Sequence, residues 1–409
     1  MNNNIILIVD PFSTGKLYAP MFNQAGFHCY AIFSSESENI PSFYLSSFHS
    51  DDFVNKYPLT VSQAKEQFSA SQICAVVIGS ESGVIAGEEL ANYFRVSANN
   101  IITSEYRRNK FKMQNVLSSS NLDSIKTIMI SSDSREVSLF ESKKGYIIKP
   151  LNSAGSEDVL YLESKSDVLS EIKKLNWFKR NITGEINKSY LIQEYLEGIE
   201  FVVDMIAYQD RYYVLSLCRY NKGVHNGSRF VYEYMSMLDP TESIYQEIIK
   251  YAKAAAFALD FKFGPIHMEI MLTERGPIMI EVGARLHGGM APQTFAHCYQ
   301  PDLLRSAVSV YLRKPILADT RLKKQARIVF LINERKNYRL DNEKFLQSIA
   351  LCPSFVDVIL PYKSGSPLPL TIDLLSCVGY ISLVADTTSQ IEQDEQIIRR
   401  LFNELLYTE

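Results

Sequence analysis

The stretch GPIHMEIMLTERGPIMIEVGARLHGG, residues 264–289, contains two apolar runs separated by a polar turn at 274–276. Two short apolar runs around a Gly-containing turn predict an antiparallel β hairpin. The usual register of such a hairpin brings Glu269 close to Glu281, with both carboxylates inside apolar strands. Burying two like charges costs several kcal/mol unless a cation neutralises them, and Mg²⁺ prefers such oxygen ligands. The stretch therefore predicts either a magnesium site or an exposed hairpin face with two solvated glutamates.

The composition narrows the class of protein. The 409 residues include 42 basic and 46 acidic side chains, so the formal net charge is −4 and does not indicate a nucleic-acid or membrane partner. The length predicts roughly two to four packed units. Small molecules are therefore the expected partners.

The cysteines and the N-terminal residues predict a reducing compartment. The six cysteines form no CxxC pair, and we interpret them as reduced core residues without disulfides or thiolate metal sites. The first apolar run, 5–9, follows no Lys or Arg and stops at Asp10, so it predicts a strand and not a signal peptide. No apolar run approaches the roughly 20 residues of a membrane helix. The cytoplasm is the expected location.

Apolar runs alternate with helical patterns near the start of the chain. This alternation predicts a parallel sheet covered on both faces, whose ligands bind beyond the carboxyl ends of the strands, here 10–16 and 80–83. The predicted elements are strands over 4–10, 28–35, 73–80, 127–132, 326–332 and 376–386, short strands within 145–162, a hairpin over 190–220, and helices over 14–26, 82–94, 104–119, 243–260, 341–350 and 388–406.

Two further segments have side chains suited to a nucleotide. Lys149 ends an apolar strand, and the small residues 152–156 after it can present backbone N–H groups to a phosphate. This is not a Walker motif, and an ordinary hairpin turn explains it equally. The segment IQEYLEGIE, 192–200, can offer backbone groups to an adenine and Glu200 to a ribose. Its alternative interpretation is an acidic surface hairpin.

The order of these features resembles the ATP-grasp superfamily. Lys110, Lys149 with its small-residue loop, QEYLEGIE, Glu269 and EVGAR follow one another as in that superfamily, and the resemblance is closest to the L-amino-acid ligases. It extends over essentially the whole chain. It implies an α/β protein of the α+β ATP-grasp fold, with an N-terminal Rossmann-like parallel sheet at 1–104 and a central lid subdomain at 105–192. An antiparallel ATP-grasp core at 193–320 and a C-terminal α+β module at 321–409 would complete the fold.

The resemblance also implies residue roles. Glu269 and Glu281 would hold Mg²⁺, with Mn²⁺ as an alternative, and Arg285 would stabilise the transferred phosphoryl group. The ATP contacts implied are Lys110 and Lys149 on the phosphates, Ser153, Ala154 and Gly155 in the lid loop, Gln193, Glu194 and Leu196 at the adenine, and Glu200 at the ribose. The implied amino-acid pocket is lined by His267, Arg285, His287, Gly288 and Gly289. Many relatives have Asn where this chain has Gly283, so one metal ligand is missing.

The implied activity is ATP-dependent formation of an amide, a dipeptide in the first instance, through an acyl phosphate with release of ADP and phosphate. The acceptor could instead be a carrier-protein thiol or another amine, and the missing ligand at Gly283 leaves a non-catalytic ATP-binding regulator as a third hypothesis. A carboxylase would need a biotin or bicarbonate site, which we do not find in the sequence. The substrates expected are a small acid and an amine, and the resemblance suggests a homodimer.

Overall fold

The hairpin predicted at 264–283 is present and forms one edge of the largest sheet. The computed structural model describes residues 3–134, 136–316 and 320–408. Within these residues the strands are β1 Ile5–Val9, β2 His28–Phe33, β3 Leu59–Thr60, β4 Ile73–Ile78, β5 Thr127–Ser131, β6 Tyr146–Pro150, β7 Leu160–Leu162, β8 Ser189–Glu194, β9 Ile199–Tyr208, β10 Arg211–His225, β11 Ser228–Leu238, β12 Gly264–Thr273, β13 Gly276–Gly283, β14 Tyr299–Gln300, β15 Arg321–Leu322, β16 Gln325–Leu331, β17 Arg339–Leu340, β18 Phe355–Ile359, β19 Gly379–Ala385 and β20 Leu406–Tyr407.

The helices cover the faces of these sheets. The α-helices are α1 Tyr18–Gln24, α2 Ser42–Leu45, α3 Val61–Gln67, α4 Val84–Tyr93, α5 Lys110–Ser119, α6 Lys165–Ile172, α7 Gln246–Ala258, α8 Ala291–Cys298, α9 Leu303–Tyr311, α10 Asn342–Ile349 and α11 Thr388–Leu405. In the described part of the chain, no helix combines the length and the apolar character that a bilayer-spanning segment needs.

The strands form three main sheets. The first has the order β3-β2-β1-β4 with all neighbours parallel, which confirms the prediction from the N-terminal alternation. The second is antiparallel, in the order β5-β8-β6-β7. The third is an eight-stranded antiparallel sheet in the order β13-β12-β9-β10-β11-β16-β19-β18. The mixed α/β fold expected from the sequence is therefore confirmed.

Both faces of the large sheet are buried at β9. Val202 and Ile206 pack in a core with α8 and α9, whereas Val203 and Met205 pack in a second core with α7. Side chains of a strand alternate between the two faces. Asp204 therefore points to the same face as Val202 and Ile206, although it is charged and completely buried.

Helix α5 begins later than the pattern predicts. The sequence predicts a helix over 104–119, but residues Ile101–Arg107 form a 3-10 helix and α5 starts at Lys110. The side chain of Asn109 accepts hydrogen bonds from the N–H groups of Phe111 and Lys112, so it caps the new helix. As a result, Lys110 is the first residue of α5 and is buried.

The domain boundaries expected after residues 104, 192 and 320 stay predictions. The large sheet continues across residue 320, because β11 pairs with β16. The C-terminal residues add a separate apolar core between β16, β19, α10 and α11. The candidate site lies at the other end of this sheet, near β12 and β13.

Candidate active site

The two glutamates of the hairpin lie opposite each other. Glu269 on β12 pairs with Glu281 on β13, as the turn predicts. Burial raises the pKa of Glu269, but the hydrogen bond from His267 and the charge of Lys222 outweigh it and lower the pKa to about 2. Glu269 is therefore ionised at neutral pH, and oxygen ligands of this kind suit a divalent cation.

Two lysines approach this pair of carboxylates from other sheets and helices. The Nζ atom of Lys110 lies 3.4 Å from Oε2 of Glu281 and donates a hydrogen bond of 2.5 Å to the carbonyl oxygen of Ser153. Lys149, near the end of β6, pairs with Leu191 of β8 through the ladder, but its buried ammonium has no hydrogen-bond or ion-pair partner among the described residues. Burial lowers the pKa of Lys149 to about 8, although the charge of Glu281 counteracts part of this effect. An ammonium left without a partner marks a place for an anion.

Arg285 joins the hairpin to the parallel sheet. It follows β13, and its Nε atom donates to Oε2 of Glu81 at 3.0 Å. Glu81 belongs to the turn after β4, one of the strand ends where the sequence predicts ligand contacts. Burial lowers the pKa of Arg285, but the charge of Glu81 reverses this and the pKa lies above its ordinary value. The guanidinium is therefore a permanent positive charge beside the two metal-type carboxylates.

Asp204 connects the two histidines of the predicted pocket. Its Oδ1 lies 2.9 Å from Nδ1 of His267, and its Oδ2 lies 2.9 Å from Nδ1 of His287. Ser216 donates a hydrogen bond of 2.5 Å to Oδ2. Burial raises the pKa of Asp204, but the two histidines outweigh it and hold the pKa well below its ordinary value. The ionised carboxylate therefore accepts a hydrogen bond from each Nδ1–H, which fixes the orientation of both rings.

The two rings differ on their other side. Nε2 of His267 faces Oε1 of Glu269 at 3.5 Å, whereas Nε2 of His287 meets the hydroxyl of Tyr220 at 3.1 Å. Burial lowers the pKa of both imidazoles, but Asp204 and Glu269 raise that of His267 above its ordinary value. The pKa of His287 stays below its ordinary value. His267 is thus the more readily charged ring, and His287 is a neutral one with a local hydrogen-bond partner on each nitrogen.

Asp204, His287 and Cys218 also place three metal-type ligand atoms within 4.8 Å of one another. Burial raises the pKa of the Cys218 thiol well above its ordinary value, so the sulfur stays protonated and is a poor ligand. The oxygens of Asp204 are already used by His267 and His287. The arrangement therefore fits a hydrogen-bonded cluster better than a metal site.

The segment expected at the adenine is anchored through its side chains. Gln193 is buried on β8 and donates to the hydroxyl of Thr127, while Glu194 accepts a hydrogen bond from Arg275 at 2.8 Å. The N–H groups of residues 194 and 195 bond to neighbouring carbonyl oxygens. The half-buried Leu196 is the next residue, and its N–H donates to no group that the structure describes. This leaves one backbone donor of the segment for a ligand.

Glu200, expected at the ribose, is paired with Lys222. The Nζ atom of Lys222 on β10 lies 2.8 Å from Oε1 of Glu200 and 4.3 Å from the ring centre of Tyr232. Burial raises the pKa of Glu200, and the charge of Lys222 offsets only part of this. The sequence analysis did not identify Lys222, because one lysine in a strand of mixed polarity gives no pattern.

The glycines and the lid loop provide space. Ser153 donates a hydrogen bond of 2.6 Å to Glu157, and Ala154 is half-buried. Gly155 and Gly289 have φ angles of +67° and +63°, which favour glycine, and a Cβ atom at either residue or at Gly288 would meet nothing within 4 Å. Open space therefore lies beside both segments.

The structure brings most of the predicted residues together. The charges of Glu281, Lys110, Glu269 and Glu200 all act on Lys149, which places this set around one point. Gln193 and Glu194 form their side-chain hydrogen bonds with Thr127 and Arg275 instead. Sequence reasoning did not single out Asp204, Glu81 or Lys222. Two signals were available: the strand end at 80–83, which contains Glu81, and the lone carboxylate in the apolar run FVVDMIAY, 201–208.

Comparisons with known proteins agree with this geometry. Residues 142–293 match the model of the ATP-grasp domain. The chain is 26% identical to dapdiamide A synthase from Enterobacter agglomerans, over 97% of this chain and 96% of that protein. It is 21% identical to the L-arginine-specific L-amino acid ligase from Bacillus subtilis, over 73% of this chain and 67% of that one. An L-amino acid ligase from Bacillus licheniformis has the same fold, with a TM-score of 0.71, 17% identity and full coverage of both chains.

Proposed function

We propose that this chain, a carboxylate–amine ligase of the ATP-grasp superfamily, joins two amino acids into a dipeptide through an acyl phosphate. The observation that carries the proposal is the convergence of two opposed glutamates with Lys110, Lys149 and Arg285. Phosphoryl transfer needs mainly positioning and charge neutralisation, and this set supplies both without a nucleophilic side chain.

In the first step, a carboxylate oxygen of one amino acid attacks the γ-phosphorus of ATP. A new P–O bond forms, the bond to the β–γ bridging oxygen breaks, and ADP leaves. Lys149 and Lys110 bind the phosphates, since the ammonium of Lys149 lacks a partner among the described residues and Lys110 is held between Glu281 and the lid loop. Arg285 stabilises the charge on the moving phosphoryl group. The free N–H of Leu196 binds the adenine edge, and Glu200 binds the ribose once Lys222 releases it.

The donor set at the hairpin fits a divalent cation of the kind that accompanies ATP. Glu269 is ionised, and Glu281 lies opposite it on the neighbouring strand. These two carboxylates would hold Mg²⁺, which when bound neutralises charge on the phosphate oxygens. Gly283 contributes no side-chain ligand, so two carboxylates are the full set that the hairpin provides.

In the second step, the amino group of the other amino acid attacks the acyl carbon. A C–N bond forms, the bond between the acyl carbon and the phosphate oxygen breaks, and the departing phosphate takes up the proton that the amine loses. His267 and His287, both oriented by Asp204, line the pocket that receives these substrates, together with Gly288 and Gly289. The lid residues 153–155 exclude water, because an acyl phosphate would otherwise hydrolyse.

The compartment proposed is the cytoplasm. All six cysteines are free thiols, and five of them are buried. Free thiols in these numbers are typical of reducing compartments. The homodimer that the sequence resemblance suggests stays a prediction.

Product analysis by mass spectrometry tests the proposal. The protein is incubated with Mg²⁺, ATP and pools of amino acids, and ADP, phosphate and new amides are measured together. We expect ADP, phosphate and one new dipeptide mass in equal amounts, and none of them with the Glu281→Gln variant. If ADP forms without an amide, the acceptor is not a free amino acid but a carrier thiol or another amine. AMP with pyrophosphate would contradict the acyl-phosphate mechanism.

A further inference from the structure

The guanidinium of Arg285 is held on two of its three nitrogens. Nε donates to Oε2 of Glu81 at 3.0 Å, and Nη1 donates to the carbonyl oxygen of Leu286 at 2.8 Å. Nη2 donates to no group in the part of the chain that the structure describes. The planar guanidinium has a fixed fork of donors, so holding one edge determines where the remaining donors point. The edge that carries Nη2 is therefore the one available to a ligand.

Glu81 reaches Arg285 from a different sheet. It lies in the turn after β4 of the parallel sheet, and it is buried. Its Oε1 faces Nη1 of Arg108 at 3.8 Å, so the carboxylate stands between two guanidinium groups. Burial raises the pKa of Glu81, but Arg285 and Arg108 outweigh it and lower the pKa below its ordinary value. Glu81 is thus an ionised buried carboxylate with a fixed position.

Gly283 provides the space for this contact. A Cβ atom on Gly283 would lie 2.7 Å from Oε2 of Glu81 and 3.3 Å from Cγ of Arg285. The φ angle of Gly283 is not among the positive ones, so its backbone is open to any residue. Side-chain volume and not backbone conformation therefore explains the need for glycine. Any larger residue here would displace the Glu81 carboxylate from Nε of Arg285.

We propose that Glu81 is a positioning residue for Arg285, and that Gly283 leaves the space through which the carboxylate makes this contact. The parallel sheet thereby contributes Glu81, which orients the Arg285 guanidinium that follows the hairpin. Arg285 is turned so that its Nη2 edge meets the phosphoryl group. This inference rests on the proposed function for the role of Arg285, but the contact itself can be tested without turnover.

Steady-state kinetics on two variants of Glu81 measure its effect on catalysis. Glu81→Ala removes the hydrogen-bond acceptor of Nε of Arg285. We expect kcat to fall by about 10- to 100-fold, since a small misplacement of a catalytic group reduces the rate by up to about 100-fold. The KM for ATP should change by less than about threefold, because the phosphate-binding lysines are untouched. Glu81→Gln keeps an acceptor oxygen and should restore most of kcat.

The second part is a double-mutant cycle between Glu81 and Gly283. Gly283→Ala alone should lower kcat by about tenfold or more, as Glu81→Ala does, because both remove the same hydrogen bond. Introduced into Glu81→Ala, it should have a much smaller effect, since the carboxylate it would displace is gone and only its contact with Cγ of Arg285 remains. Independent, multiplicative losses would contradict the proposal. A Glu81→Ala variant faster than the wild type would also overturn it and make Glu81 an obstruction at Arg285.

Nuclear magnetic resonance with ¹⁵Nε-labelled arginine separates this inference from the proposed function. The Nε–H signal of Arg285, assigned by its absence in Arg285→Lys, should be protected from exchange in the wild type. It should shift and lose protection in both Glu81→Ala and Gly283→Ala. An unchanged signal contradicts the positioning contact whatever the activity. If the signal changes but the wild type forms no amide, the contact stands and the proposed function fails.

Discussion

Asp204 and Lys149 are two buried charged residues that lie near the same hairpin, and they differ in their partners. Asp204 accepts hydrogen bonds from His267, His287 and Ser216, so its carboxylate is fully used within the protein. The side-chain ammonium of Lys149 has no hydrogen-bond or ion-pair partner among the described residues, and its pKa is lowered to about 8. The Asp204 carboxylate therefore stabilises the structure of the pocket, whereas the Lys149 ammonium is available to bind an anion.

This difference distinguishes structural charges from ligand-binding ones. Buried polar groups are almost always hydrogen-bonded, and a buried charge without a partner costs several kcal/mol. A protein that keeps such a group pays this cost for function, which explains why perturbed pKa values are common at active sites. The Asp204 cluster should therefore respond to mutation mainly through stability, and the Lys149 cluster mainly through activity.

The largest expected effect is at the metal-type carboxylates. Glu281→Gln keeps the volume of the side chain but removes the charge that would hold Mg²⁺, and we expect kcat to fall by at least about 10³-fold, because a bound cation supplies several kcal/mol of charge stabilisation. The free energy of unfolding should change by less than about 1 kcal/mol, because the Glu281 side chain is partly exposed and Lys110 keeps its hydrogen bond to the carbonyl oxygen of Ser153. ADP formation and chemical denaturation measure the two quantities.

Glu274→Gln is the matched control for this prediction. It lies in the turn of the same hairpin, and its side chain is 89% exposed. We expect normal activity and normal stability in this variant. A Glu281→Gln enzyme with an unchanged kcat and an unchanged Mg²⁺ requirement would show that the hairpin does not hold the metal.

The next effect is on stability, at Asp204. Asp204→Asn keeps the shape but places an amide against two imidazole N–H donors, and we expect the unfolding free energy to fall by about 3 kcal/mol, as when one partner of a buried charged pair is lost. Urea denaturation measures this change. Asp210→Asn, in the exposed turn between β9 and β10, is the control and should be neutral. A stable Asp204→Asn protein that has lost its activity would assign Asp204 to catalysis instead.

The sequence predicts the charged residues around Lys149 better than the hydrogen-bonded cluster around Asp204. Glu269, Glu281, Lys149 and Arg285 stand at strand ends or within a hairpin, where register and strand direction fix their placement. The parallel sheet follows from the same periodicity, because strand patterns are local. Asp204 is harder to predict, since only the pairing of β9 with β12 shows that it faces His267.

Contacts between distant segments could not be predicted from one sequence. Glu81 and Arg285 are 204 positions apart, and no local pattern links them. The late start of α5 depends on Asn109 acting as a cap and on Arg107 bonding to Glu88, which is again a contact with another element. Tertiary hydrogen bonds decided the first feature and contributed to the second, whereas the Asn109 cap is a local signal for the start of α5.

The smallest expected effect is the pH dependence of nucleotide binding, which follows from Lys149. Its pKa of about 8 in the free protein means that the ammonium loses its proton as the pH rises through that value. Bound phosphates favour the charged form and raise this pKa, so binding above pH 8 must take up a proton. We expect the affinity for Mg-ATP to fall about tenfold between pH 7 and pH 9.

Isothermal titration calorimetry in two buffers of different ionisation enthalpy measures this proton uptake directly. Lys149→Arg is the matched variant, because a guanidinium stays charged over the whole range. Its binding should be independent of pH between 7 and 9 and should take up no proton. The same pH dependence in Lys149→Arg would assign the titration to another group. Lys149 would then not be the ligand-binding charge that distinguishes this cluster from the one around Asp204.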